Sequence, residues 1–143
     1  MKKFLLSVSL VAALAFVGFA QESATEEPRA EIYFEKTVHD FGAIAHQGNG
    51  TYEFEFVNKG NAPLVLSNAS SSCGCTVPNY PKTPIAPGEK GKVTVRYDTN
   101  RIGGFSKTVT VTSNAKSAPS VVLYIKGEVK TVQPVATEAV PAQ

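Results

Sequence analysis

Tryptophan is absent from the 143-residue sequence, methionine occurs once and cysteine occurs twice. Two cysteines are too few for a disulfide-rich scaffold, and they cannot complete a zinc site alone because zinc takes about four ligands. The signature motifs of several enzyme classes are also missing: the sequence has no G-x-S-x-G, G-x-x-x-x-G-K, H-E-x-x-H or G-x-G-x-x-G. These absences predict a protein that is not an enzyme and that needs no cofactor.

An excess of charge of one sign is missing as well. The sequence has 14 Lys and Arg against 12 Asp and Glu, and Lys2 and Lys3 account for the difference. Because no basic patch follows them, we do not expect a nucleic-acid partner. The hydrophobic and charged shares, 43% and 18%, are those of an ordinary globular domain.

The first 20 residues have the organisation of a secretory signal peptide. Two lysines precede a mainly apolar stretch over residues 4–19, and small residues lead to a predicted cleavage between Ala20 and Gln21. The stretch is shorter than the ~20 residues that a membrane-spanning helix needs. We therefore predict a periplasmic or secreted protein without stable membrane insertion after cleavage.

Alternation of apolar and polar residues dominates the remainder of the chain. Successive side chains of a strand point to opposite faces, so each run with a period of two predicts one buried and one wetter face. The runs are centred on Ile32–Phe34, Val38–Phe41, Tyr52–Phe56, Leu64–Leu66, Val93–Tyr97, Thr108–Thr112 and Val121–Ile125. About seven short strands separated by Gly, Pro and Asn predict an all-β, immunoglobulin-like β-sandwich, with a small barrel as the second fold.

The composition also predicts where this domain begins and ends. Residues 21–30 are polar and lack periodicity, which indicates a flexible lead-in. The sandwich is expected over 31–130. Residues 131–143, rich in Pro, Ala and Thr, are expected to be a disordered tail, since Pro134 and Pro141 oppose a regular strand.

The ordered set of motifs resembles a bacterial family of exported Ig-like domains of unknown function. That family is similar to Abnormal spindle–Hydin domains and, more distantly, to the major sperm protein and PapD-like sandwiches. The resemblance implies an exported Ig-like fold and, by analogy alone, a binding or scaffolding role. The motifs lie within residues 39–129 and include His39-Asp40-Phe41-Gly42, Phe54 to Gly60, Ser72-Cys73-Gly74-Cys75-Thr76 with Pro78, Pro84 to Glu89, Tyr97-Asp98, Ser113-Asn114 and Leu123 to Val129.

Cys73 and Cys75 are the strongest candidates for chemistry. On an extended strand their Cα atoms would lie ~6.6 Å apart, at the upper end of the disulfide range. A bridge therefore requires a turn at Gly74, and it would stabilise the fold by only about 1.6 kcal/mol because the loop is so short. Four interpretations stay open: a local disulfide, a labile thiol-redox pair, a soft-metal site such as Cu(I) on two thiolates, and free thiols.

Other candidate residues have simpler explanations. His39 and His46 could supply further metal ligands, but their position in the sequence suggests a different part of the fold. Glu53 and Glu55 share one face of a strand, where glutamates are usually solvated. We therefore assign no catalytic residue and no metal ligand beyond the weak candidates Cys73 and Cys75.

Two functions follow from these observations. The first is a non-enzymatic module of the cell envelope that binds an unknown protein through a sheet edge or through the loop containing Gly74, Thr76 and Pro78. The second is thiol-redox or copper chemistry at Cys73 and Cys75. The sequence identifies neither the partner nor the oligomeric state.

Overall fold

The computed structural model of the chain describes residues 26–132, which contain eight β-strands and no helix. The predicted signal peptide and its cleavage site, residues 21–25 of the lead-in and residues 133–143 of the tail lie outside the described residues. The strands are β1 (Ile32–Phe34), β2 (Val38–Ala45), β3 (Thr51–Asn58), β4 (Leu66–Ser71), β5 (Thr76–Asn79), β6 (Lys90–Tyr97), β7 (Gly103–Ser113) and β8 (Ser120–Lys130).

The eight strands form two four-stranded sheets. One sheet has the order β1-β3-β6-β5 and the other has the order β2-β8-β7-β4. All neighbours are antiparallel except β2 and β8, which run parallel. This two-layer arrangement confirms the predicted all-β, Ig-like sandwich and not the small barrel.

The hydrophobic core is built from the alternating runs of β3, β6, β7 and β8. Residues of β3 and β6 lie opposite one another, as in the pair Phe54 and Val93, and the predicted inward faces are buried. Tyr52 and Val121, at the ends of the predicted inward rows of β3 and β8, are half-buried. The buried residues of these four strands are Phe54, Phe56, Val93, Val95, Tyr97, Phe105, Val109, Val111, Leu123, Ile125 and Val129.

Two strands differ from the prediction. The run predicted at Leu64–Leu66 continues instead as β4 to Ser71, and Leu64 makes a single bridge to Ile85. β5 was assigned to a loop. Both lie at sheet edges and bury few side chains, so neither carries the alternation by which the other strands were predicted.

The end of the predicted lead-in belongs to the packed domain. Ala30 is buried and bridges Ala115, and the carbonyl of Arg29 accepts hydrogen bonds from the N–H groups of Asn61 and Ala62 at 2.9 and 3.1 Å. The flexible lead-in predicted over 21–30 was therefore wrong for its last two residues. Their contacts lie about 30 and 85 residues away in sequence, beyond the reach of a local pattern.

Asn58 is a buried polar residue at the end of β3. Its side-chain oxygen accepts hydrogen bonds from the N–H groups of Glu31 and Gly60, at 3.3 and 2.9 Å. Its side-chain nitrogen donates to the carbonyls of Ala62 and Ile85, at 2.8 and 3.0 Å. The Asn58 side chain therefore joins the start of β1 to the loop that follows β3 and to the loop that precedes β6. Both polar atoms of its amide have partners.

Two of the crossings of the chain between the sheets join one edge strand directly to another. Residues 35–37 connect β1, at one edge of its sheet, to β2 at an edge of the other. Residues 72–75 connect the edge strands β4 and β5 in the same way. The second crossing contains both cysteines and places them at the candidate site.

Candidate functional site

The two cysteines form a disulfide in the crossing between β4 and β5. Their Cα atoms are 5.3 Å apart, well inside the disulfide range, because the chain turns at Gly74 and Cys75. Of the four interpretations of the pair, the geometry favours the local disulfide. The turn also explains how cysteines only two positions apart can be joined.

Gly74 is not needed for this turn in the way that the sequence suggested. Its φ does not lie in the left-handed region, unlike those of Gly42, Gly88 and Gly103. A Cβ atom added at Gly74 would meet nothing within 4 Å. The glycine therefore leaves open space beside the disulfide, and the turn would accept alanine.

Main-chain hydrogen bonds hold both ends of the crossing. The N–H of Ser72 donates to the carbonyl of Thr108 on β7 at 2.9 Å, and the N–H of Asp98 donates to the carbonyl of Cys75 at 2.8 Å. Within the turn, the N–H of Thr76 donates to the carbonyl of Cys73 at 3.4 Å. The crossing is thus tied to both sheets independently of its sulfur atoms.

Two hydroxyl groups lie against the turn. The Ser71 hydroxyl is within hydrogen-bonding distance of the carbonyls of Cys73 and Thr76. The Thr76 hydroxyl lies 3.9 Å from both sulfur atoms, and Thr76 is only 2% exposed. Sequence reasoning did not single out Ser71 and placed Thr76 in a loop. The sequence signal that could have identified them is the presence of hydroxyl residues, Ser71 and Thr76, before and after the Cys-x-Cys motif.

The two cysteines differ in exposure. Cys75 is 6% exposed and belongs to the hydrophobic core, whereas Cys73 is half-buried at the margin of that core. The N–H of Cys75 lies 3.3 Å from the sulfur of Cys73. Hydrogen-bond donors near a sulfur favour its thiolate form when the bond is broken.

Thr76 and Pro78, predicted as loop contacts, belong to β5. They pair with Tyr97 and Val95 of β6, and β5 is the last strand of its sheet. A proline within an edge strand is compatible with pairing when its nitrogen points away from the neighbouring strand. Of the three predicted contacts, only Gly74 lies in the turn itself.

The histidines lie far from this site. His39 is on β2 and His46 follows that strand, at the opposite edge of the sheet from β4. Three strand spacings separate these edges, which is about 14 Å. The structure therefore does not bring either histidine to the cysteines. Among residues 26–132 there is no group of three or more His, Cys, Asp or Glu side chains that could hold a metal ion.

His39 is part of an aromatic cluster. Its ring stacks on Tyr52 with centroids 3.5 Å apart and meets Phe41 edge-on at 4.4 Å. Partial burial lowers the pKa of His39 below its usual 6.5, although the carboxylate of Asp40 opposes this effect. The histidine therefore favours the neutral form and acts as a packing residue.

The two glutamates of β3 share one lysine. Lys92 lies 2.7 Å from Glu53 and 3.8 Å from Glu55, and all three side chains are about half exposed. The hydrogen bond to Glu53 raises the pKa of Lys92. These are solvated ion pairs of low energy on the outer face of the sheet, as the sequence predicted.

The family match covers most of the described region. Residues 32–129 match the family described as "Protein of unknown function (DUF1573)". The chain belongs to this family. No curated protein sequence matches this DUF1573 chain. Within residues 26–132 the structure contains no helix with the length and apolar character required to span a bilayer.

Solved structures support the fold of this DUF1573 domain. A protein of unknown function from Porphyromonas gingivalis is 18% identical with a TM-score of 0.65; the match covers 76% of this chain and 51% of that one, so the chain spans about half of that protein's length. The ASH/PapD-like domain 7 of human CEP192 is 10% identical with a TM-score of 0.62, covering 92% and 100%. The secreted serine protease VesC from Vibrio cholerae is 18% identical with a TM-score of 0.53, covering 73% and 24%. At these identities the similarity shows the fold alone.

Proposed function

We propose that this protein is an exported, non-enzymatic module that binds an extended segment of a partner protein along the edge strand β4. Export is supported by the charged, apolar and small-residue organisation of residues 1–20. A binding role is supported by analogy with ASH/PapD-like sandwiches, which share the fold. The edge itself is chosen by comparing the four edge strands of the two sheets.

The edge of β5 offers little to an added strand. The hydrogen bond from Asp98 to the carbonyl of Cys75 sets the register, so the main-chain groups of Thr76 and Pro78 point away from β6. Proline has no N–H, and both main-chain groups of Thr76 are already bonded, the N–H to Cys73 and the carbonyl to Ser71. β5 is thereby protected against pairing.

The two edges on the other side are also protected. β1 is only three residues long. β2 is interrupted by a bulge between Asp40 and Ala43, where Gly42 has a positive φ of 63° and its N–H donates to the Asp40 carboxylate at 2.8 Å. The same carboxylate lies 3.5 Å from Lys126. Bulges, short strands and charges are devices that oppose edge pairing.

β4 is protected only near its ends, where a bulge lies between Leu66 and Asn68 and the Ser71 hydroxyl bonds the carbonyl of Thr76 on β5. Residues 67–72 contain neither charge, proline nor glycine. The hydrogen bond from Ser72 to Thr108 fixes the register with β7, so the N–H and carbonyl groups of Ala69 and Ser71 point away from β7. Tyr80 covers only the start of the strand, by donating to the carbonyl of Ser67 at 3.0 Å. This outward-facing ladder is the observation on which the proposal depends.

The test uses a matched pair of variants at Ala69. Ala69→Pro removes an outward N–H without removing a hydrogen bond to β7, whereas Ala69→Ser keeps that N–H. Tagged wild-type protein and both variants are used to capture proteins from the envelope of the source organism, after circular dichroism has shown that all three fold alike. We expect wild type and Ala69→Ser to recover the same partner and Ala69→Pro to lose it. Equal recovery by Ala69→Pro, or no recovery by wild type above an untagged control, would contradict the proposal.

A further inference from the structure

The turn that contains the disulfide is also held by main-chain hydrogen bonds. The crossing is bonded to β7 through Ser72, to the end of β6 through Asp98 and within itself through Thr76. Breaking the sulfur–sulfur bond removes none of these hydrogen bonds. The two sulfur atoms therefore stay close together after reduction, and the bond can form again without refolding of the chain.

The sulfur of Cys73 is the one that a partner thiol can reach. Thiol–disulfide exchange requires a thiolate to attack one sulfur of the bridge while the other leaves. Cys75 is buried in the core, and Cys73 is half-buried at its margin beside the open space at Gly74. Attack from outside is therefore directed to Cys73, with Cys75 as the leaving group.

Hydrogen-bond donors are placed for both thiolates. The Thr76 hydroxyl lies at the same distance from the two sulfurs, 3.9 Å, and the N–H of Cys75 lies 3.3 Å from the sulfur of Cys73. A thiolate that gains such donors is a better leaving group because its pKa falls. The buried Thr76 hydroxyl therefore lies beside the sulfur–sulfur bond, where it can donate to whichever sulfur becomes a thiolate.

We propose that Cys73–Cys75 is an exchangeable disulfide that oxidises a pair of thiols in an exported protein, with Cys73 forming the mixed disulfide. A substrate thiolate attacks the Cys73 sulfur; the substrate–Cys73 bond forms, the Cys73–Cys75 bond breaks, and the electron pair and a proton go to Cys75. The second substrate thiolate then displaces Cys73, which takes the other proton. The substrate dithiol is oxidised to a disulfide, and both cysteines are reduced to thiols. One disulfide is consumed for each substrate dithiol, so this exchange is stoichiometric and compatible with a non-enzymatic module; it rests on the proposed export but not on binding along β4.

Single-cysteine variants test the predicted asymmetry. Reduced Cys75→Ser retains the accessible Cys73, and reduced Cys73→Ser retains the buried Cys75. Each is incubated with oxidised glutathione, and the glutathione adduct is followed by intact mass. We expect the adduct to form on Cys75→Ser about tenfold faster or more, in proportion to accessibility and thiolate character. Equal rates, or a faster reaction of Cys73→Ser, would overturn the proposal.

Thr76→Val separates chemistry from packing. This change keeps the shape of the buried side chain but removes the hydroxyl, so in the Cys75→Ser background it should raise the pKa of the Cys73 thiol, measured by thiolate absorbance. Gly74→Ala serves as the control that leaves that pKa unchanged.

The wild-type protein gives a test that does not depend on the folding of any variant. Under native conditions its disulfide should oxidise a reduced Cys-x-x-Cys peptide, with loss of two hydrogens from the peptide mass. A disulfide that reacts with this peptide only in denaturant would refute the exchange activity. The capture experiment with Ala69→Pro has no bearing on this result, so failures of the two proposals are distinguishable.

Discussion

Asn58 and the Cys73–Cys75 turn both hold segments that lie between the strands, but they do so through different interactions. At Asn58, one fully buried side chain makes four hydrogen bonds to groups on three other segments. At the cysteine turn, main-chain hydrogen bonds and a covalent bond hold the same few residues. Removal of one partner therefore leaves part-buried groups unpaired at Asn58, whereas the turn keeps its other contacts.

This difference indicates that Asn58 has a structural role and that the cysteines are candidates for a chemical one. Asn58 connects segments that are distant in the sequence, as a disulfide usually does. The disulfide of this protein joins residues only two positions apart, and so short a loop stabilises the fold weakly. Because main-chain hydrogen bonds also hold this turn, we expect the sulfur–sulfur bond to be available for exchange. The comparison thus supports a separate role for the cysteines.

The largest expected effect is at Asn58. Asn58→Ala should lower the free energy of unfolding by about 3 kcal/mol, because it removes four hydrogen bonds and leaves the part-buried N–H groups of Glu31 and Gly60 and the carbonyl of Ala62 without this partner. Denaturant unfolding measures the loss. Asn68→Ala on the exposed face of β4 is the matched control, with a change within about 0.5 kcal/mol. Similar losses of unfolding free energy in the two variants would contradict the structural role assigned to Asn58.

A smaller effect is expected at His39, on the side of the sandwich opposite the cysteines. Its pKa is lowered in the folded state, so the unfolded chain binds a proton first as the pH falls below 6.5. The stabilising contribution of the neutral ring is complete above that pH and declines below it, until the pH reaches the lower pKa of the folded state. His39→Phe should remove this part of the decline in the denaturant midpoint of unfolding as the pH falls below 6.5. If the unfolding midpoint of His39→Phe declined with pH as that of the wild type does, the decline would arise from other titrating groups.

The regions that the sequence predicted well are those in which the local pattern and the packing agree. In β3, β6, β7 and β8 one face is buried against the opposite sheet, so alternation identifies both the strand and its inward residues. β4 and β5 were misplaced because edge strands bury little and β5 contains Pro78. Their pairing depends on neighbours 15 or more residues away.

The candidate site was only partly predictable for the same reason. The spacing of Cys73 and Cys75 left a local disulfide as one of four interpretations and required a turn for it, and the structure has both the turn and the disulfide. The contacts of Asn58 with Glu31 and Ile85 each span 27 residues, so the sequence showed Asn58 only as part of a turn after β3. The difference in exposure between the two cysteines likewise arises from tertiary packing.

The most direct test of this account is the free energy of unfolding of the oxidised chain compared with the reduced chain, measured in denaturant with a thiol reductant present for the second. Because the turn is held by hydrogen bonds to both sheets, reduction should cost no more than about 1.6 kcal/mol, and unfolding should stay cooperative. A loss as large as that expected for Asn58→Ala, or a non-cooperative transition, would show that the disulfide holds the fold together and would contradict the account.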